Sequence, residues 1–73
     1  MTHPIFTNYA LTKMKIFGLS ESQVLDAFNK GIVEKKGGGY NAIKKYSTYE
    51  VGVYYTVKSN IYKIVSVWKR NRR

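Results

Sequence analysis

Tyr49-Glu-Val-Gly-Val-Tyr-Tyr-Thr-Val-Lys58, Ser59-Asn60 and Ile61-Tyr-Lys-Ile-Val-Ser-Val-Trp-Lys-Arg70 form the stretch whose reading decides the fold. Both long segments are rich in valine, isoleucine and aromatic residues, which suit a pleated, half-buried surface. Ser59-Asn60 between them predicts a two-residue hairpin turn. With Lys58 set opposite Ile61, alternation puts Val51, Val53, Tyr55 and Val57 on one face with Tyr62, Ile64, Ser66 and Trp68. That face is mostly apolar and is expected to form the core. The other face is expected to pair Thr56 with Lys63, Tyr54 with Val65, Gly52 with Val67 and Glu50 with Lys69. Opposite charges directly across a ladder attract, so the last pair supports this register. A slip of one residue would exchange the faces.

Upstream, Ile32–Lys36 and Tyr40–Tyr46 read as two further strands, joined by a turn at Gly37-Gly38-Gly39 and followed by a turn at Ser47-Thr48. Earlier still the period changes to that of a helix. Thr7 caps a helix over Asn8–Phe17, with Ala10, Leu11, Met14 and Phe17 on one side and Gly18 as its stop. Ser20 and Gln23 form a capping box for a second helix over Glu21–Lys30, and Leu19 can staple onto Val24. Val24, Ala27 and Phe28 make its buried stripe, and Gly31 ends it. Pro4-Ile5-Phe6 is an extended lead-in. The whole is α+β: an N-terminal helical hairpin packed on one face of a roughly four-stranded antiparallel sheet, in a single domain over residues 1–73. Arg70 to Arg73 form a basic tip, frayed at its end.

Seventy-three residues bound this to one small domain, which buries only about 60% of its unfolded surface. There is no cysteine, hence no disulfide and no thiolate chemistry. No apolar run has membrane-spanning length and no secretory leader is recognisable, so a soluble, cytoplasmic protein is expected. The net charge is +9 and it is unevenly placed. Residues 1–30 hold three lysines against two carboxylates; residues 31–73 hold seven lysines and three arginines against two. Such asymmetry predicts a basic face, with nucleic acid as its first partner and an acidic protein or an anionic membrane surface as the next.

Metal chemistry has little to work with, since His3 is the only histidine and the four carboxylates show no ligand spacing. No metal site, small-molecule cofactor or nucleophilic triad is expected. The glycine run after Lys35-Lys36 lacks the strand-to-helix context and the Gly-Lys-Ser/Thr ending of a phosphate loop, so it reads as a turn. Lys44-Lys45-Tyr46 is more informative. Lysine, tyrosine and arginine grouped on a sheet can cleave RNA without a metal: one group takes the 2′-hydroxyl proton, arginine steadies the phosphorane, another group protonates the leaving oxygen. Lys45, Tyr46 and Arg70 are the candidates for that chemistry. Lys44, Tyr54, Lys63, Lys69, Arg72 and Arg73 are candidates for holding the strand. Seven tyrosines and one tryptophan are many for this length. Tyrosine interleaved with lysine stacks on unpaired bases while lysine holds phosphate. Tyr55, Tyr62 and Trp68 are expected in the core, and Tyr54 on the surface as a stacking residue.

The order of these motifs resembles a family. Phe6-Thr7, Ala10-Leu11, Lys13-Met14, Gly18-Leu19-Ser20-Glu21 and Val24 look like the opening of the domain of unknown function 4258. Lys44-Lys45-Tyr46, Glu50-Val51-Gly52-Val53-Tyr54 and Val65-Ser66-Val67-Trp68-Lys69-Arg70 look like its later strands and ending. That family is similar to the RelE/ParE superfamily and to BrnT-like toxins. The resemblance implies a helical hairpin on a curved sheet, and membership of a toxin–antitoxin pair. It also implies RNA cleavage, free or on the ribosome, with an acidic antitoxin covering the basic face. Two positions depart from the pattern: Tyr9 stands where the family usually has histidine, and Phe17 where it usually has arginine before the glycine. Tyr9 can still donate a proton; Phe17 can only pack.

Three functional readings stand side by side. The leading one is a RelE-like toxin-type domain that binds RNA through a basic sheet face and cleaves it without metal. The second is a nucleic-acid-binding module without catalysis. The third is a protein-interaction domain for an acidic, antitoxin-like partner, docked by strand addition.

Overall fold

The computed structural model describes residues 3–71. The order is β1 (Ile5–Phe6), α1 (Asn8–Phe17), α2 (Glu21–Lys30), β2 (Ile32–Lys36), β3 (Gly39–Lys45), β4 (Tyr49–Lys58) and β5 (Ile61–Asn71). The fold is α+β, as expected, but the sheet has five strands in the order β1-β5-β4-β3-β2. Nor is it purely antiparallel: β1 runs parallel to β5, with Ile5 beside Lys63 and Phe6 beside Ile64. A two-residue strand carries no periodicity of its own, so the lead-in at Ile5-Phe6 did not read as part of the sheet.

Both helices have the expected bounds because their ends are set locally. Thr7 Oγ1 accepts from the Ala10 N–H at 3.1 Å. Gly18, at φ +67°, closes α1 with a Schellman pair: Gly18 N–H to the Lys15 carbonyl and Leu19 N–H to the Met14 carbonyl. Ser20 and Gln23 complete the capping box in both directions. Gly31 ends α2 for a reason of space. A Cβ there would stand 2.5 Å from the Ala27 carbonyl and 2.9 Å from the Ile43 backbone.

The core is one cluster. Ala10, Met14, Leu19, Val24, Ala27 and Phe28 from the helical segment meet Ala42, Val51, Val53, Tyr55, Ile64 and Val67 from the sheet. These strand residues lie on one face, so both helices cover that face. Leu11 is exposed and takes no part. Phe28 packs edge-on against Tyr55 at 4.9 Å and Tyr62 at 5.7 Å, a favourable aromatic geometry.

The hairpin register holds only at its turn end. Lys58 faces Ile61, Thr56 faces Lys63 and Tyr55 faces Ile64, as expected. Then β5 carries one extra residue, Val65, and Tyr54 faces Ser66 instead. This β-bulge shifts everything beyond it by one residue, and a shift of one exchanges faces. Val67 moves into the core, fully buried. Trp68 moves out to the open face, opposite Gly52. Glu50 now faces Arg70, and Lys69 faces Val51 on the helix side. The expected core position of Trp68 and the Glu50–Lys69 pair are therefore corrected.

Thr7 holds the bulge. Its N–H donates to the Ile64 carbonyl and its hydroxyl donates to the Val65 carbonyl, both at 3.1 Å. The same hydroxyl caps α1. Thr7→Val keeps the shape and removes both hydroxyl bonds, so it should lower stability by about 2 kcal/mol. Thr7→Ser should recover most of that. Urea unfolding of the three proteins measures it, and equal midpoints for all three would refute the role assigned to the hydroxyl.

Candidate nucleic-acid interface

Alternation and register together sort the candidate residues between the two faces. Lys45, Tyr54, Lys63 and Arg70 stand on the open face, away from the helices. Lys44, Tyr46 and Lys69 stand on the helix side. Arg72 and Arg73 lie outside the described residues; Arg70 and Asn71 are paired within β5.

Near one end of the open face, Lys45 and Arg70 flank Glu50 across β3, β4 and β5. Glu50 is only 7% exposed. Arg70 Nη2 donates to Glu50 Oε2 at 2.7 Å. Glu34, Ile32 and Ile43 complete a cleft of about 300 Å³ around this row. Glu50 was not among the candidates; the rule that charges meet across a ladder found it, with the wrong partner.

The middle of the open face carries two aromatic rings, each laid over a glycine. A Cβ on Gly52 would stand 2.1 Å from the Trp68 indole. The ring therefore occupies the space above Gly52, an aromatic covering a bare stretch of backbone. A Cβ on Gly39 would stand 2.8 Å from the Tyr54 hydroxyl oxygen, and that hydroxyl donates to the Lys36 carbonyl at 3.3 Å. Gly52 is thus the seat of Trp68 and not the partner of Val67 expected from a constant register.

On the helix side Asp26 gathers the remaining candidates. Lys44 Nζ lies 2.9 Å from Asp26 Oδ2, the Tyr46 hydroxyl donates to Oδ2 at 2.9 Å, and Lys30 lies 3.4 Å from Oδ1. The Lys44 hydrogen bond first, then that of Tyr46, holds the Asp26 carboxyl down at about 2. Burial first, then Asp26, pushes the Tyr46 phenol up to about 12. Tyr46 stacks on Tyr49 at 4.7 Å, and Lys69 Nζ sits 4.8 Å from the Tyr49 ring centre. This cluster ties α2 to β3 and β4. It separates Tyr46 from Lys45 and Arg70, so the three catalytic candidates do not converge.

Among the described residues, no three histidine, cysteine, aspartate or glutamate side chains are grouped to hold a metal ion. No helix among them is long and apolar enough to cross a membrane. In comparisons with known proteins, no family model, curated protein or solved structure matches the chain.

Two outcomes are expected from this geometry. Gly52→Ala drives a methyl into Trp68 and should cost about 1–3 kcal/mol. The single tryptophan should then emit further to the red as it lifts from the sheet; an unchanged melt and spectrum would contradict its seating. The Asp26 cluster predicts a pH dependence. A carboxyl lowered in the fold stabilises fully above its ordinary value of 3.8 and loses that effect as pH falls towards about 2. The stability gap between the native protein and Asp26→Asn should therefore close across that acid range, as read by unfolding at stepped pH. A raised phenol works in the opposite sense. Tyr46 stabilises below pH 10, and that effect is lost as pH rises through about 12.

Proposed function

We propose that this chain is a RelE-like, toxin-type domain that binds RNA through the open face of its sheet. The observation that carries the reading is a row of exposed lysines on the open face, of which Lys36, Lys58 and Lys63 face no carboxylate across the ladder. Lys36, Lys45, Lys58 and Lys63 all project from the open face, and among the described residues none makes a salt bridge, Lys45 standing across the ladder from Glu50. Lys30 and Lys44 on the helix side differ, because both are held by Asp26. Between the free lysines lie Tyr54 and Trp68, flat surfaces on which unpaired bases stack. Charge supplies affinity for the backbone and the rings prefer single strands. A cytoplasmic setting, with free or ribosomal RNA as ligand, goes with this reading. So does an acidic, antitoxin-like partner able to cover the same face.

Cleavage is the further part of the proposal. In the row Lys45–Glu50–Arg70, Arg70 would steady a phosphorane and Lys45 would transfer the proton. Tyr46 takes no part, because its hydroxyl is turned to Asp26. A second reading, binding without scission, is favoured by the 2.7 Å bond that commits Arg70 to Glu50.

The test is a labelled single-stranded RNA incubated with the protein in EDTA, read by gel and by binding at several salt concentrations. Three phosphate contacts, at Lys36, at Lys45 and at the Lys58–Lys63 pair, should give a slope of about −2 in log K against log salt. Discrete cuts that vanish in Lys45→Ala, at an unchanged melting temperature, would support catalysis. Lys45 is the better probe, since removing Arg70 strands the buried Glu50 and destabilises the fold. Salt-sensitive binding with intact RNA would favour the second reading, and no binding at low salt would refute both.

A further inference from the structure

The open face has a second end, at the β4–β5 turn, that the catalytic row does not use. There Thr56, Lys58, Ser59, Ile61 and Lys63 line a cleft of about 390 Å³. Thr56 stands directly opposite Lys63, and Lys58 opposite Ile61. The cleft therefore offers two ammonium groups and two hydroxyls as donors, and its lining contains no carboxylate. Neither lysine has an ion-pair partner among the described residues. Glu50 lies six residues from Thr56 along β4, about 20 Å at the rise of a strand, too far to neutralise the cleft across more than a Debye length.

The turn itself adds an independent observation. Ser59 and Asn60 both adopt left-handed backbone, at φ +52° and +65°. Asn-Gly would satisfy this two-residue turn with less strain. A serine in that conformation is strained, because its Cβ crowds the following carbonyl oxygen. What serine brings is a hydroxyl-bearing side chain in the lining of the cleft.

A group that accepts many hydrogen bonds, donates none and carries negative charge fits such a lining. That describes a phosphate. We propose that the Lys58–Lys63 cleft holds one phosphate of a bound RNA strand, which runs from there along β4 and β5, over Tyr54 and Trp68, to Lys45 and Arg70. The inference rests on the RNA reading above and adds the position and length of the strand. The span of about 20 Å corresponds to the shortest single-strand sites, about four nucleotides.

The experiment uses the whole chain, a labelled four-nucleotide RNA and, separately, inorganic phosphate. The double variant Lys58→Gln/Lys63→Gln should bind the RNA about tenfold more weakly and lower the salt slope by about 1. Lys15→Gln/Lys35→Gln, with the same loss of charge away from the open face, should change binding far less. Ser59→Asn/Asn60→Gly should melt higher and yet bind more weakly, which a purely structural turn would not do. If the two lysine pairs weaken binding equally, the cleft is no site, although the RNA reading survives. If the native protein binds no RNA but phosphate shifts the Thr56 and Ser59 amide signals, the cleft serves a free phosphate and the strand is overturned. Neither ligand binding would overturn both.

Discussion

The extra residue at Val65 and the two hydrogen bonds by which Thr7 grips the neighbouring carbonyls govern the arrangement of everything else. Remove the bulge and the second half of β5 turns over. Val67 would leave the core, Trp68 would enter it, and Arg70 would lose its place beside Glu50. The bulge thus separates β5 into a part that matches the turn and a part that matches the helices. Thr7 makes this division hold, because one residue caps α1, pairs β1 into the sheet and occupies the carbonyls that the bulge exposes.

Much of the fold is legible in the chain because it is decided over short distances. A cap and its partner lie three residues apart, so Thr7, Ser20, Gln23 and Gly18 mark the helices without reference to anything else. Register is different. It depends on how two strands meet, and a bulge is written only as a break in period. That break exists: Tyr62 and Ile64 are apolar at even positions, Val65 and Val67 at odd ones. Reading across it at a constant period leads to the wrong partner for Glu50 and the wrong face for Trp68. The site was less legible than the fold for this reason. Lys45, Tyr54, Lys63 and Arg70 do reach the open face, whereas Tyr46 falls on the helix side by plain alternation from Lys45, which the sequence does show, and Lys69 falls there because of the bulge. Asp26 was not foreseen, because a carboxylate on the polar side of a helix looks solvated until the facing strand is placed.

The charges of the two faces differ in kind as well as in number. On the helix side, Lys30 and Lys44 are bound to Asp26, and Lys13 and Lys69 rest over aromatic rings. Those contacts hold elements together. On the open face Arg70 pairs with Glu50, and Lys36, Lys45, Lys58 and Lys63 make no salt bridge among the described residues. Exposed ammonium groups of this kind add little to stability. Their field is therefore free to act on whatever approaches.

The pairing of β1 with β5 also has a consequence for the order of assembly. Thr7 and Val65 are 58 positions apart, and closing a loop of that length costs about 3–4 kcal/mol of chain entropy. The contacts that recover it, the strand pair and the grip on the bulge, form only when Ile64 and Val65 are present. During synthesis the helical hairpin is made long before its strand partners and has no sheet to cover. The pairing of greatest sequence separation therefore closes only after the last strand has been made, and non-local contacts of this span slow folding.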